Sequence, residues 1–254
     1  MMSHPFLDHQ GPIPFAHRGG ASQAPENTMA AFEDAVRLGY QYLETDVHTT
    51  ADGKLVAFHD NDLQRMCNVK NHINEMTWSE LQDVRVDGIE PIPLLEELLT
   101  AFPNAKINID CKSNESVDPL IQILKAHNCL DRVCIGSFSD RRLTTLRSEF
   151  GSTLCTSLGP RQVARLLVAS RSRTRLANRL RGLVAQIPVR QFGVHLTSTK
   201  MIAAAKEIDV PIHVWTIDSV DEMNRLLDVG IDGIMTDNTR LLKDVFLKRN
   251  LWRE

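Results

Sequence analysis

The chain has 254 residues, enough to bury a substantial core and close to the roughly 250 residues of a (β/α)8 barrel. Hydrophobic residues make up 43% and charged residues 24%, a globular composition that excludes intrinsic disorder. The formal net charge of −3 gives no basis for nucleic-acid binding.

Short β-rich runs recur along the chain, each followed by a helical pattern. Pro14 to His17 is expected as a first strand entering the pair Gly19-Gly20, and Asn27 to Leu38 as a helix stopped by Gly39. Tyr42 to Val47 reads as a second strand, and Leu55 to Phe58 after Asp52-Gly53 as the return arm of a hairpin. The segment from Ala57 to Pro103 exceeds one strand and crossover, so it is expected to hold a small excursion through Trp78 to Glu97 on the loop face. Lys106 to Asp110 is the third barrel strand, followed by Val133 to Ser137, Thr153 to Ser157, Leu183 to Ile187, Pro211 to Thr216 and Gly233 to Thr236. Strands alternating with helices imply a parallel sheet covered by helices, and eight such units in this length favour an α/β fold of the (β/α)8 TIM-barrel type. With no linker or low-complexity tract, residues 1–254 are expected to form one domain.

Cys67, Cys111, Cys129, Cys134 and Cys155 are scattered, odd in number and contain no C-x-x-C pair. That pattern argues against a disulfide framework or structural zinc site and fits a reducing compartment. The opening MMSHPFLDHQGPIPF lacks a basic region followed by a long apolar run, and no later stretch is apolar enough to span a bilayer, so a cytoplasmic protein is expected.

Active sites of such barrels lie at the C-terminal ends of the strands. There the sequence delivers His17-Arg18-Gly19-Gly20, Glu44-Thr45-Asp46, His59-Asp60 and Asp110-Cys111-Lys112. Glu44 and Asp46 are two residues apart, so on a strand both point the same way. With Asp110 they form an oxygen-rich pocket suited to one divalent ion, Mg²⁺ or Ca²⁺, which would hold a phosphate oxygen and neutralise charge. His17 and His59 are candidates for a general acid and base, and Arg18 and Lys112 for phosphate contacts. Gly19 and Gly20 permit close backbone approach. Taken singly, an E-x-D pair or a lone histidine is more often structural; their joint arrival at strand ends points to chemistry.

The runs AHRGG, APENTMAAFEDAV and LETDVHTTADGKLVAFHD resemble the glycerophosphodiester phosphodiesterase family, whose H-R-G, P-E-N-T, E-x-D, D-G, V-x-x-H-D and acidic-x-Lys elements all occur here in order. The resemblance continues through INIDCK, IGSFSD, QIPV, HVWTIDS and DGIMTDN. It implies metal-dependent hydrolysis of glycerophosphodiesters to glycerol 3-phosphate and an alcohol. It makes His17 and His59 the acid–base pair, Glu44, Asp46 and Asp110 the metal ligands, and Arg18 and Lys112 the phosphate contacts. It puts Glu26 and Asn27 beside the site as supporting residues and Trp215 against the alcohol part of the substrate. Asp110 departs from the family's usual glutamate by one methylene, which leaves Mg²⁺ and Ca²⁺ both open. Two routes fit these residues: attack by the substrate's own glycerol hydroxyl through a cyclic phosphate, or direct attack by water. The alternatives are a lysophospholipase D or sphingomyelinase D-like lipid phosphodiesterase, and a phosphate-binding barrel without turnover. A metal-dependent amidohydrolase is disfavoured because no H-x-H follows the first strand.

From Phe150 to Lys206 there is no Asp or Glu, while ten Lys and Arg residues give this stretch +10 and leave −13 for the rest. Arg171, Arg175 and Arg179 recur at helical spacing, with Leu176, Leu180 and Leu183 as an adjacent apolar face. The segment 161–181 is read as a solvated helix face, with attraction of anionic substrate or weak contact to an anionic membrane surface as the alternatives.

Overall fold

The computed structural model describes residues 4–172 and 180–253. In chain order its elements are β1 (Ile13–Ala16), α1 (Met29–Arg37), β2 (Tyr42–Thr49), β3 (Leu55–Ala57), α2 (Gln64–Cys67), α3 (Trp78–Leu81), β4 (Arg85–Val86), β5 (Glu90–Pro91) and α4 (Leu95–Ala101). There follow β6 (Lys106–Cys111), α5 (Val117–His127), β7 (Val133–Gly136), α6 (Asp140–Phe150), β8 (Cys155–Thr156) and α7 (Pro160–Ser172). The chain ends with β9 (Ala185–Pro188), β10 (Arg190–Gln191), β11 (Val194–His195), α8 (Thr199–Lys206), β12 (Ile212–Trp215), α9 (Val220–Asp228), β13 (Gly233–Thr236) and α10 (Thr239–Lys248).

Eight strands run parallel in the order β8-β7-β6-β2-β1-β13-β12-β9. The ring closes between its ends, where Ser157 bridges Val184 in parallel and the Leu158 N–H donates to the Val184 carbonyl at 2.8 Å. This is the (β/α)8 barrel that the strand–helix alternation predicts. All eight positions of β2 are buried, because one face meets the barrel interior and the other the helices. Phe15, Tyr42, Cys134, Cys155, Val184 and Met235 fill the barrel's lower interior. Phe6, from a short turn at Pro5–Leu7, plugs that end, and Tyr42 donates its hydroxyl hydrogen to the Phe6 carbonyl at 2.8 Å.

The helices start by one repeated device. Thr28, Ser139, Ser198, Ser219 and Asn238 each accept a backbone N–H three residues on, capping α1, α6, α8, α9 and α10 directly after the loops that leave the strands. Helix α1 therefore begins at Met29 rather than at Asn27, whose φ of +56° is left-handed. Likewise β1 stops at Ala16: Arg18 sits at φ +53° and turns His17 out of the strand.

The hairpin after Asp52-Gly53 forms, with β3 antiparallel to β2. The excursion that follows has a small core of its own, in which Val56, Phe58, Leu63, Ile73, Leu81, Val86 and Ile92 are buried together. Of the Arg-rich segment, Arg161, Arg165 and Arg171 lie on α7, while Arg173, Arg175, Leu176 and Arg179 lie outside the described residues. Leu183 belongs to barrel closure rather than to a basic helix, since its N–H donates to the Thr156 carbonyl at 2.8 Å.

Candidate active site

One cavity of about 410 Å³ opens at the C-terminal ends of the strands, and His17, Arg18, Glu44, Asp46, His59, Asp110, Lys112 and Trp215 all line it. The register explains the convergence. Parallel pairing of β2 with β6 sets Glu44 beside Asn108 and Asp46 beside Asp110, so the acidic side chains share one interior face. The β2–β3 hairpin returns His59 to the same rim, fixed by the Phe58 N–H on the Asp46 carbonyl at 3.0 Å. His48 secures that position from β2, its Nε2 donating to the His59 carbonyl at 3.0 Å.

The H-R-G-G turn is built around two glycines. Gly19 and Gly20 have φ of +80° and +91°, and a Cβ would come within 2.9 Å of Ala31 at the first and 2.6 Å of Thr239 at the second. The turn aims the Arg18 N–H at Glu44 Oε2, 3.1 Å away, and the Arg18 side chain back over the acidic cluster. There the guanidinium donates to Glu26 at 2.8 Å and stands 3.2 Å from Asp46 Oδ2. Asn27 does not line the cavity. It donates to Asp46 Oδ2 at 3.0 Å and accepts from Thr45 at 2.8 Å, so it orients Asp46. Glu26 is likewise a brace, held between Arg18 and Arg65.

Lys112 Nζ bridges Asp46 Oδ1 and Asp110 Oδ2, 2.8 Å from each. Burial alone would lower its pKa, but these two carboxylates outweigh it and raise it. For Asp46, burial is overcome by Lys112 and Arg18, which hold its carboxyl below the usual range. Glu44 goes the other way: burial and the neighbouring Asp46 push it up to about 7, only partly offset by His17, Lys112 and Arg18. Asp110 Oδ1 is buried without a hydrogen-bond partner. Among the described residues, no three His, Cys, Asp or Glu side chains converge into a ready-made metal cage. The ammonium of Lys112 occupies the space between Asp46 and Asp110.

Both histidines are anchored through Nδ1. Asp237 Oδ1 accepts from His17 at 2.7 Å, and Asp60 Oδ1 from His59 at 2.6 Å. Each pairing selects the tautomer that offers Nε2 to the cavity. Burial lowers the His17 pKa, but Glu44 and Asp237 outweigh it and leave it raised. Asp60 also accepts from Arg65 at 2.6 Å, and Arg65 reaches Glu26 at 2.6 Å, so an ion-pair chain runs from His59 to Arg18. Asp237 is positioned in turn by Asp218, which accepts the Asp237 N–H at 2.8 Å.

The roles of Asp237, Asp60, Asp218 and Arg65 were not assigned from sequence. The acids of His59-Asp60 and of the T-D-N at the end of β13 were visible as motif members, whereas nothing local marks Arg65. Trp215 sits at the end of β12, edge-on to Phe138 with ring centres 5.7 Å apart.

Residues 17–241 match the model of the Glycerophosphoryl diester phosphodiesterase family. A probable glycerophosphodiester phosphodiesterase 2 of Mycobacterium tuberculosis is 36% identical, the alignment covering 97% of this chain and 95% of that protein. A lysophospholipase D of Homo sapiens is 27% identical, covering 90% of this chain and 84% of that protein. Among solved structures, a phosphodiesterase of Oleispira antarctica in complex with sn-glycerol-3-phosphate superposes with a TM-score of 0.78 at 22% identity, covering 93% and 97% of the two chains.

Proposed function

The chain belongs to the glycerophosphoryl diester phosphodiesterase family and is a phosphoric diester hydrolase, and we propose that it cleaves glycerophosphodiesters at the barrel mouth with His17 and His59 as its acid–base pair. One observation carries this reading: two imidazoles, each held through Nδ1 by its own carboxylate, line the same cavity as three acids and two cations. In hydrolysis one imidazole accepts the proton of the attacking hydroxyl or water and the other protonates the departing alkoxide. Water adds to phosphorus, one P–O bond breaks, and glycerol 3-phosphate and an alcohol leave. Arg18 and Lys112 bind the phosphate oxygens and stabilise the charge that grows on them. Trp215 packs against the alcohol part.

The acidic cluster has the chemistry to take a divalent cation. Three buried carboxylates face two cations, Asp110 Oδ1 lacks a partner, and Glu44 is pushed up to about 7 by burial and the neighbouring Asp46. The three carboxylates supply oxygen donors, which suit Mg²⁺ or Ca²⁺. Glu44, Asp46 and Asp110 would hold the ion, in competition with Lys112, and it would supply charge neutralisation at a non-bridging phosphate oxygen. Five unpaired cysteines support a reducing, cytoplasmic setting, and among the described residues no helix is long and apolar enough to cross a membrane.

The test is a metal-stripped preparation assayed against glycerophosphocholine and glycerophosphoethanolamine, with Mg²⁺, Ca²⁺ and Mn²⁺ restored separately. Activity that returns only with a divalent ion supports the reading. Full activity of the stripped protein overturns the metal, and no release of glycerol 3-phosphate under any condition overturns the substrate.

A further inference from the structure

A second cavity, of about 690 Å³, lies between α6 and α7 and shares no lining residue with the active-site cavity. Arg147 from α6, Arg161 and Arg165 from α7, and Arg181 from the segment leading into β9 all border it. Among its described lining residues Asp140 is the single carboxylate. That carboxylate is already committed, because its Oδ2 accepts the Arg161 N–H at 3.1 Å at the start of α7. Gly159 makes room for this contact, since a Cβ there would come within 2.5 Å of Asp140 Oδ1. No ion pair joins Asp140 to any of the four guanidinium groups.

Gathering cations without counter-charge has a cost. Arg161 and Arg165 stand about one turn apart on α7, a like-charge spacing that destabilises a helix. Arg147 is half-buried and fixed in place, its Nε donating to Thr156 Oγ1 at 2.8 Å and its Nη2 to the Ser157 carbonyl at 2.6 Å. Burial lowers the Arg147 pKa, and Arg181 presses it the same way against the pull of Asp140. The side chains of Arg161, Arg165 and Arg181 make no hydrogen bond or ion pair. Between them lies Gln162, 6% exposed, whose Oε1 accepts the Gly159 N–H at 3.4 Å while its Nε2 donates to no other residue. A buried amide with spare donors, set beside unpaired guanidinium groups, has the chemistry to receive an anion that accepts several hydrogen bonds.

We infer that this cavity is an effector site for a phosphate or phosphomonoester dianion, separate from the catalytic cavity and coupled to it through α7. Guanidinium forks match phosphate oxygens in pairs, and the volume leaves room for a small organic group beside the phosphate. Two sources share that chemistry: inorganic phosphate, and glycerol 3-phosphate, the phosphomonoester that the proposed reaction releases. The coupling is built into one helix. Pro160 and Ala164 line the active-site cavity, while Arg161, Gln162 and Arg165 of the same turns line this one. Ser157 joins the two as well, its carbonyl held by Arg147 and its residue lining the active-site cavity. An anion that draws Arg161 and Arg165 towards Arg147 therefore acts on a wall of the catalytic mouth. The coupling rests on the phosphodiesterase reading; the binding does not.

Calorimetric titration of the full chain with inorganic phosphate, and separately with glycerol 3-phosphate, tests the site without relying on turnover. Wild type is expected to bind more phosphate per chain than the Arg161→Gln/Arg165→Gln double variant, whose affinity at this cavity should fall at least about tenfold. Arg181→Gln, off the helix, should weaken the same binding about threefold and carries the test if the double variant does not fold. Whichever ligand loses more affinity in these variants is the better occupant. In steady-state assays on glycerophosphocholine, phosphate is expected to change kcat at least about twofold in wild type but to raise only KM in the double variant. Identical titrations for wild type and both variants overturn the site. Binding of phosphatidylglycerol vesicles without binding of either free ligand overturns it in favour of a membrane contact. Purely competitive inhibition of wild type overturns the coupling. Absence of turnover overturns the phosphodiesterase reading and leaves the titrations to decide the site.

Discussion

Replacing Asp237 by asparagine removes the charge that holds His17 while leaving the side chain's size intact. Asp237 Oδ1 accepts from His17 Nδ1 at 2.7 Å, and the contribution of Asp237 and Glu44 outweighs burial to keep the imidazole's pKa raised. A hydrogen bond to a charged group contributes about 1.5–3 kcal/mol. The Asp237 side chain is 39% exposed, so solvent screening moves the expectation to about 1–2 kcal/mol. If that stabilisation is felt in the transition state, kcat falls about 5- to 30-fold with KM little changed. The assay is steady-state release of glycerol 3-phosphate by wild type, Asp237→Asn and Asp237→Glu, with thermal melts to show that all three fold. Partial recovery in the glutamate variant is expected, since it restores the charge at imperfect geometry. A kcat for Asp237→Asn within twofold of wild type would refute the claim that this carboxylate positions the imidazole.

Other perturbations follow from the same geometry. His213 is fully buried with neither ring nitrogen hydrogen-bonded, and burial depresses its pKa to about 3. Its unfolded value is near 6.5, so the native state should lose stability as pH falls from 6.5 towards 3, by roughly 2 kcal/mol at pH 5. Urea titrations of His213→Leu should show a correspondingly flatter decline, and an unchanged slope would contradict this origin. Lys112→Met strips Asp46 and Asp110 of their shared cation, a loss of about 3–5 kcal/mol for a broken buried pair. Its melting temperature should fall below wild type and should rise more with added Mg²⁺ or Ca²⁺ than wild type does; equal metal shifts would count against carboxylate ligation. Gly20→Ala places a methyl 2.6 Å from Thr239 at φ +91° and should cost about 1–3 kcal/mol in chemical denaturation.

The barrel was legible because its signal is local and repeated: β-rich runs and helical patterns alternate, and strand-end acids at i and i+2 must share a face. The shared face of Glu44 and Asp46 is therefore legible from their spacing alone, and the β2–β6 register adds Asp110 beside Asp46. Element ends were less legible. His17 reads as strand because its neighbours are apolar, yet the left-handed Arg18 turns it out, an effect visible only in the backbone. Asn27 has the composition of a helix start, but the Thr28 hydroxyl wins the cap and frees the Asn27 amide to hold Asp46. Long-range partners were the least accessible. Asp237 lies 220 positions from His17, and Arg65 reaches Glu26 from a separate small core, so no spacing rule connects either pair.

The central claim is that His17 and His59 act as one acid–base pair on a phosphodiester at this rim. The most direct measurement is the rate of glycerol 3-phosphate release from glycerophosphocholine by purified His17→Ala and His59→Ala, with circular dichroism to show native folding. Each variant is predicted to lose nearly all turnover while remaining folded. Near-normal turnover in either folded variant would contradict the account.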